Sequence, residues 1–212
     1  MSRSILVIAT NNQGKLREFR RLLEGCGFDL ATPRDLGYAF DVEETGSTFA
    51  ENARLKAAEA ARLTGMLALA DDSGLEVDAL NGAPGVHSAR FAALDERNAG
   101  AAGNSPDAAN NVKLLRLLEK VPLAKRAARF RCVLALAEFN SQLPLANCQF
   151  FDGVCEGGIS LSPGGQGGFG YDPLFVPLGH HQSFAELGED VKNQLSHRAK
   201  ALEKLRVWLL GA

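Results

Sequence analysis

The sequence predicts an α/β protein with a mixed β-sheet flanked by helices. Residues 4–9 form a β-branched apolar run that stops at a polar turn and is followed by a helical pattern, as when a buried strand leads into a helix. Residues 127–139 and 145–159 alternate between apolar and polar side chains, which is typical of long antiparallel strands. At 212 residues the chain is long enough to form one domain, residues 1–212, with its own core.

Helices are predicted by apolar spacing and by signals at their ends. Leu16, Phe19 and Leu23 share one face of a helix predicted at residues 15–24. Thr48 and Glu51 have the spacing of a capping box, which predicts that a helix begins there. That helix continues over residues 52–63; the other predicted elements are strands at 67–70, 75–80 and 174–176 and helices at 111–118 and 196–209, with a loop at 92–107.

Charge and hydropathy exclude two classes of partner. The chain has 23 basic and 25 acidic residues, a net charge of −2, so no basic excess favours a nucleic-acid backbone. Any phosphate site must then be local, and a metal ion would assist it. The first apolar run is too short for a signal peptide or a membrane span, so we expect a cytoplasmic protein without a membrane partner.

The turn at residues 10–15 is the first candidate site. Its sequence, Thr-Asn-Asn-Gln-Gly-Lys, follows a strand and opens a helix, where free backbone N–H groups and the helix dipole favour an anion. It is not a P-loop, because Ala9 replaces the first glycine and Leu16 replaces the hydroxyl residue. The alternative is that Thr10 and Asn12 only cap the helix.

Carboxylates form the second candidate site. Glu43 and Glu44 lie in a loop, Glu51 on a helix, and Asp71 and Asp72 at the end of a predicted strand. Mg²⁺ prefers such hard oxygen ligands. Adjacent strand residues point to opposite faces, so Asp71 and Asp72 should have different roles unless the chain turns between them. The alternative is a set of solvated surface acids.

Two more polar segments follow near the C-terminus. Residues 167–173 are rich in glycine, and Phe169 could offer a ring to a base, or the loop could be a tight turn with its aromatic rings in the core. Its GxGxxG spacing at 165–170 is not a dinucleotide fingerprint, because a strand follows instead of a helix. Lys192, His197 and Arg198 could bind a base or a phosphate, or could be surface cations beside a capping serine, Ser196.

Taken in order, these segments resemble the inosine triphosphate pyrophosphatase family, which removes non-standard purine nucleoside triphosphates. The resemblance covers nearly the whole chain. It is carried by motifs at residues 10–15, 43–46, 49–52, 70–75, 82–86, 88–90, 167–173 and 196–198.

The resemblance implies an elongated α/β fold with two lobes, a substrate cleft between them, and a homodimer. It implies hydrolysis of ITP, dITP and XTP to the nucleoside monophosphate and pyrophosphate with Mg²⁺ as cofactor. Asp72 and Lys15 would be catalytic, and Glu43 and Asp72 would bind the metal. Substrate would be bound by Thr10, Asn11, Asn12, Gln13, Gly14, Lys15, Ser73, Phe169, Gly170, Tyr171, Asp172, Lys192, His197 and Arg198.

One departure from the family pattern and two rival functions remain open. Residues 92–107 are longer than the family usually has before its next helix and could be an insertion beside the cleft. A pyrophosphatase for another nucleotide, such as a modified pyrimidine or a methylated nucleotide, is the first rival, and a nucleotide sensor without catalysis is the second. A nucleic-acid-binding module is disfavoured by the net charge.

Overall fold

The computed structural model describes residues 4–95, 104–139 and 148–211. Its helices and strands, in chain order, are β1 (Ser4–Ile8), α1 (Gln13–Leu22), β2 (Phe28–Ala31), α2 (Phe49–Thr64), β3 (Ala68–Val77), α3 (Asp107–Leu117), β4 (Ala127–Ala137), β5 (Cys148–Ile159), β6 (Phe175–Pro177), α4 (Phe184–Leu195) and α5 (His197–Gly211). Short 3-10 helices occur at Asp78–Leu80, Gly85–Arg90, Ala92–Asp95 and Leu123–Lys125.

The sheet has six strands in the order β2-β1-β3-β4-β5-β6. β1 pairs in parallel with β2 and β3, with Val7 opposite both Ala31 and Ala68. β5 and β6 are antiparallel, with Gly158 opposite Val176. Because both kinds of pairing occur, the predicted mixed sheet of an α/β protein is confirmed.

β3 differs from the prediction in its length. The strands predicted at 67–70 and 75–80 are one strand, Ala68–Val77, which runs through Asp71 and Asp72 and ends before a 3-10 helix at Asp78–Leu80. An aspartate pair suggests a strand end because a buried, unpaired carboxylate is costly. Here both carboxylates meet cations, so the strand continues through them.

Two elements were not predicted from the sequence. β2 is only four residues long, and only partly buried. α4 begins with a capping box formed by Ser183 and Glu186, but Gly188, with φ 81°, interrupts its helical geometry and hides the periodicity. The 92–107 segment contains the 3-10 helix Ala92–Asp95 and reaches the start of α3; its residues 96–103 lie outside the described residues, as do 140–147.

The chain divides into two compact units. The first contains Met1–Asp72, Cys132–Gly153 and Arg198–Ala212, and the second contains Ser73–Arg131 and Val154–His197. That these units form one domain with a cleft stays a prediction.

Each unit has its own hydrophobic core. In the first, the alanine face of α2 packs against buried residues of the sheet, and a second cluster joins α1, α5 and the strands. In the second, the rings of Phe130, Phe175 and Phe184 lie against one another, with centroids 4.7 to 6.3 Å apart. These cores hold the strands and helices from which the polar groups described below project.

Candidate active site

The turn between β1 and α1 is organised by its own polar side chains. The Asn12 N–H donates to Thr10 Oγ1 at 3.1 Å, and Asn12 Oδ1 accepts from the Lys15 N–H at 3.0 Å. Asn12 is therefore the N-cap of α1, as the alternative interpretation expected. Asn11 donates from Nδ2 to the Phe40 carbonyl at 2.8 Å. Asn11, Asn12 and Gln13 are exposed and Gly14 is buried.

Asp71 lies on β3 between two cations of the first unit. Lys15 Nζ is 3.0 Å from its Oδ1, and Arg198 donates to its Oδ2 from Nε at 3.1 Å and from an Nη at 2.6 Å. The same guanidinium pairs with Glu18 of α1 at 2.5 Å. Arg198 is only 1% exposed, so the interpretation of it as a surface cation is wrong.

Asp72 meets a different set of partners, all from α2. Lys56 Nζ donates to its Oδ1 at 2.8 Å, and Asn52 Nδ2 donates to its Oδ2 at 3.3 Å. Asn52 and Lys56 are four residues apart, so both project from one face of the helix. The two aspartates have separate partners, as alternation along a strand requires.

Glu44, on the loop before α2, belongs to the same cluster as Asp72 and Lys56. Glu44 Oε1 accepts from Lys56 Nζ at 2.8 Å, so the Glu44 and Asp72 carboxylates share one ammonium group. The Gly46 N–H donates to Asn52 Oδ1 at 2.8 Å, and a Cβ on Gly46 would collide with Glu51 and Asn52. Glu43, the predicted metal ligand, is exposed.

Burial and charge set the ionisation of these groups. Burial opposes ionisation of Asp71, but the charges of Arg198, Lys15 and Lys56 hold the pKa of its carboxyl well below the usual value. Burial raises the pKa of Asp72, although Lys56 opposes the shift. Burial alone would lower the pKa of Lys56, but the Asp72, Glu44 and Asp71 carboxylates raise it. Asp71 is therefore a fixed anion, and Asp72 is the more basic of the two carboxylates.

These carboxylates are chemically suited to Mg²⁺. Within the described ranges, no group of three or more His, Cys, Asp or Glu residues is arranged to hold a metal ion. Mg²⁺ does not require such a group, because one or two carboxylates complete its shell with water and substrate phosphates. Asp72 and Glu44 bring two carboxylates to one ammonium, and Glu43 adds a third on the adjacent, exposed loop.

The second unit contains another buried ion pair, between Asp172 and Lys192. Lys192 Nζ donates to Asp172 Oδ2 at 2.5 Å, and the Phe169 N–H donates to the same oxygen at 2.8 Å. Lys192 Nζ also lies 4.2 Å from the centroid of the Phe169 ring. Both charged residues are buried, whereas Phe169 and Gly170 are half-buried.

Not every predicted substrate residue of this unit is open to solvent. Tyr171 is buried in the core, and its hydroxyl donates to the Ser88 carbonyl at 2.9 Å. Burial raises the pKa of that phenol, and Asp107 adds to the shift. His197 is buried and stacks on Phe130 with centroids 4.8 Å apart. Ser73 is half-buried.

The structure identifies functional candidates that the sequence reasoning missed. They are Asn52 and Lys56, which contact Asp72 directly. Glu44, which the sequence did include among the candidate carboxylates, reaches Asp72 through Lys56. The capping box marked the start of α2, and the four-residue spacing of Asn52 and Lys56 was the signal that could have found them.

Comparison with known proteins identifies the family of the chain. A family model described as the Ham1 family matches residues 6–208. A dITP/XTP pyrophosphatase from Desulforamulus reducens is 53% identical over 199 residues, which is 94% of this chain and 92% of the relative. One from Bacillus licheniformis is 46% identical over 204 residues, 96% of this chain and 97% of the relative.

Solved structures agree over almost the full length. A HAM1 protein from Coxiella burnetii is 42% identical and superposes with a TM-score of 0.83, covering 99% of this chain and 100% of that chain. A nucleoside-triphosphatase, also titled dITP/XTP pyrophosphatase, from Mycobacterium abscessus is 40% identical with a TM-score of 0.72, covering 95% and 98%. The family predicted from the sequence motifs is confirmed.

Proposed function

Because the chain belongs to the Ham1 family, we propose that it hydrolyses the non-standard purine nucleotides ITP, dITP and XTP to the nucleoside monophosphate and pyrophosphate. The relatives named dITP/XTP pyrophosphatase support the substrate class. The observation that carries the chemistry is the cluster around Asp72, a buried carboxylate whose pKa is raised beside a lysine and a second carboxylate.

The reaction divides into roles for groups of the first unit. Asp72 accepts a proton from the attacking water, and its raised pKa makes it a stronger base for that step. Lys15 supplies positive charge as negative charge develops on the phosphoryl oxygens. The turn at residues 10–14 offers backbone N–H groups to the phosphates. Water adds to the α-phosphorus, the bond between the α-phosphorus and the oxygen that bridges it to the β-phosphate breaks, and pyrophosphate leaves.

We also propose that the reaction uses a bound magnesium ion. Asp72 and Glu43 would hold it, with Glu44 available beside Asp72 through their shared Lys56. When bound, the ion would neutralise part of the triphosphate charge. Asn52 and Lys56 hold the Asp72 carboxylate in place by hydrogen bonds to its two oxygens.

Removal of the metal is expected to lower turnover at least about 100-fold, since stabilisation by the ion amounts to several kcal/mol. Pyrophosphate release from dITP would be measured with Mg²⁺ and with EDTA. Thermal unfolding would be measured with dITP and increasing Mg²⁺ for wild type, Glu43→Gln and Glu44→Gln. The variant whose melting temperature responds less to Mg²⁺ would identify the glutamate that binds the metal. Full turnover in EDTA would contradict the proposal.

We propose that groups of the second unit bind the purine base of the substrate. Phe169 offers a half-buried ring for stacking. Asp172 binds its main-chain N–H, and Lys192, which is paired with Asp172, lies over the ring. Donors near a 6-keto oxygen would favour hypoxanthine and xanthine over adenine, because the wrong base leaves polar groups unpaired. ATP hydrolysed as efficiently as ITP would contradict this selectivity, and tight ITP binding without pyrophosphate release would favour the nucleotide sensor.

Replacement of Gly168 by alanine is expected to raise KM for dITP about tenfold with little change in kcat. Gly168 has φ 75°, and a Cβ there would collide with the Asp172 carboxylate that holds the Phe169 N–H. Gly179→Ala is the matched control, since its φ is 85° but no atom lies within 4 Å of its Cβ. Equal KM values for the two variants would show that the Asp172 contact is unimportant for binding.

Two further proposals concern the state of the protein. We propose a homodimer, which sedimentation velocity would test directly, and a cytoplasmic location. No helix in the described part of the chain has the length and apolar character needed to cross a membrane.

A further inference from the structure

The backbone N–H and the carbonyl of Gly170 are both bound by side chains of α3. Asp107 Oδ2 accepts from the Gly170 N–H at 2.6 Å, and Asn111 Nδ2 donates to the Gly170 carbonyl at 3.0 Å. The two side chains are four residues apart and therefore project from one face of the helix. They fix the two peptide groups that flank Gly170, one through its N–H and the other through its carbonyl.

The first of these two peptide groups joins Gly170 to Phe169, whose ring is assigned to the base. The Phe169 N–H is held by Asp172, and its ring lies under Lys192. Asp172 and Lys192 constrain the residue from one side of the chain, and α3 constrains the next peptide. Together these contacts leave the ring little freedom relative to the rest of the second unit.

Helix capping does not account for the two α3 contacts. The N-cap position of α3 is Pro106, which makes no side-chain cap, and the Asp107 carboxylate reaches Gly170 across 63 residues of sequence. Asn111 is buried, and its Oδ1 has no hydrogen-bond partner among the described residues. A buried amide with an unsatisfied oxygen costs stability.

We infer that Asp107 and Asn111 are positioning residues for base recognition, which act by fixing the two peptide groups that flank Gly170 and, through them, the Phe169 ring. This inference rests on the proposed function, in which Phe169 contacts the purine. Neither residue takes part in the chemical step. Loss of either contact therefore affects binding and selectivity and leaves kcat nearly unchanged.

Substitutions at Asp107 test the contact with the Gly170 N–H. Asp107→Ala is expected to raise KM for dITP about tenfold, the effect of losing one hydrogen bond to a charged group, with kcat within about twofold of wild type. It should also reduce the preference for dITP over dATP. Asp107→Asn retains an acceptor oxygen and should restore most of the affinity.

A substitution at Asn111 separates positioning from a structural role. Asn111→Leu removes both the donor to Gly170 and the buried unsatisfied oxygen, so thermal stability should be unchanged or higher while KM rises about tenfold. Val112→Ala, at an exposed position of the same helix, is the matched control and should change neither quantity. A KM that follows stability across all variants, or that stays at the wild-type value in Asp107→Ala and Asn111→Leu, would overturn the inference.

Direct binding distinguishes failure of the inference from failure of the proposed function. The affinity for dITP would be measured by calorimetry in EDTA, where turnover is suppressed, beside turnover in Mg²⁺. Wild-type binding without hydrolysis would overturn the proposed function only, and weaker binding by the two variants would still support the inference. Wild-type protein that neither binds nor hydrolyses dITP would overturn both.

Discussion

Replacement of Asp72 by asparagine is expected to lower kcat for dITP by about 10²- to 10⁴-fold, the usual contribution of a positioned general base. The variant has nearly the same shape, but its amide cannot accept the proton of the attacking water. It also removes one of the two carboxylates that share Lys56, so metal affinity should fall as well. Pyrophosphate release under saturating dITP and Mg²⁺ measures the effect.

Folding controls accompany that measurement. Lys56 keeps Glu44 as a partner in the variant, so the buried ammonium group remains paired. Asp29→Asn, at an exposed position of β2, is the matched control and should retain full activity. Near-normal kcat in Asp72→Asn, with an unchanged melting temperature, would refute the role of Asp72 as the base.

Replacement of Arg198 by methionine is expected to lower the free energy of unfolding by about 3–5 kcal/mol, as when one partner of a buried ion pair is removed. The guanidinium is almost fully buried and neutralises both Asp71 and Glu18. Without it, Glu18 loses this partner and Asp71 keeps Lys15 as a cation. Equilibrium unfolding in guanidinium chloride measures the loss.

The same variant tests the role that the family resemblance implied for Arg198. A base-contacting arginine would change KM and base preference while leaving stability intact. An arginine that neutralises Asp71 and Glu18 would change stability first, and Arg198→Lys would restore it only in part, because lysine lacks the planar fork. Arg206→Met, exposed on the same helix, is the control. Unchanged stability in Arg198→Met would exclude the ion-pair role.

Local signals in the sequence predicted the elements that carry the first unit's polar groups. The capping box at Thr48 and Glu51 is formed as predicted, and it fixes the start of α2. The run ending at Ala9 is a strand leading into a capped helix. Such features depend on residues a few positions apart, and the physics of hydrogen bonding in one turn is sufficient to predict them.

Other elements were not predicted, or were predicted with wrong bounds, because their local signals were weak or contradictory. β2 is short, and α4 contains Gly188 in a left-handed conformation, so neither shows a clear period. The aspartates within β3 resembled a strand end until their cations were known. In each case tertiary contacts overrode the local preference.

The sequence by itself determined the family, the order of its motifs and the placement of Asp71 and Asp72 on opposite faces of a strand. Only the tertiary structure decided which cation each carboxylate meets. Arg198 reaches Asp71 across 127 residues of sequence, and Asn111 reaches Gly170 across 59. Such pairs depend on strand order and helix packing, and the burial of Arg198 is likewise a property of the folded chain. A pattern of neighbouring residues contains no information about either, because the free energy of a buried charge depends on whatever the fold brings beside it.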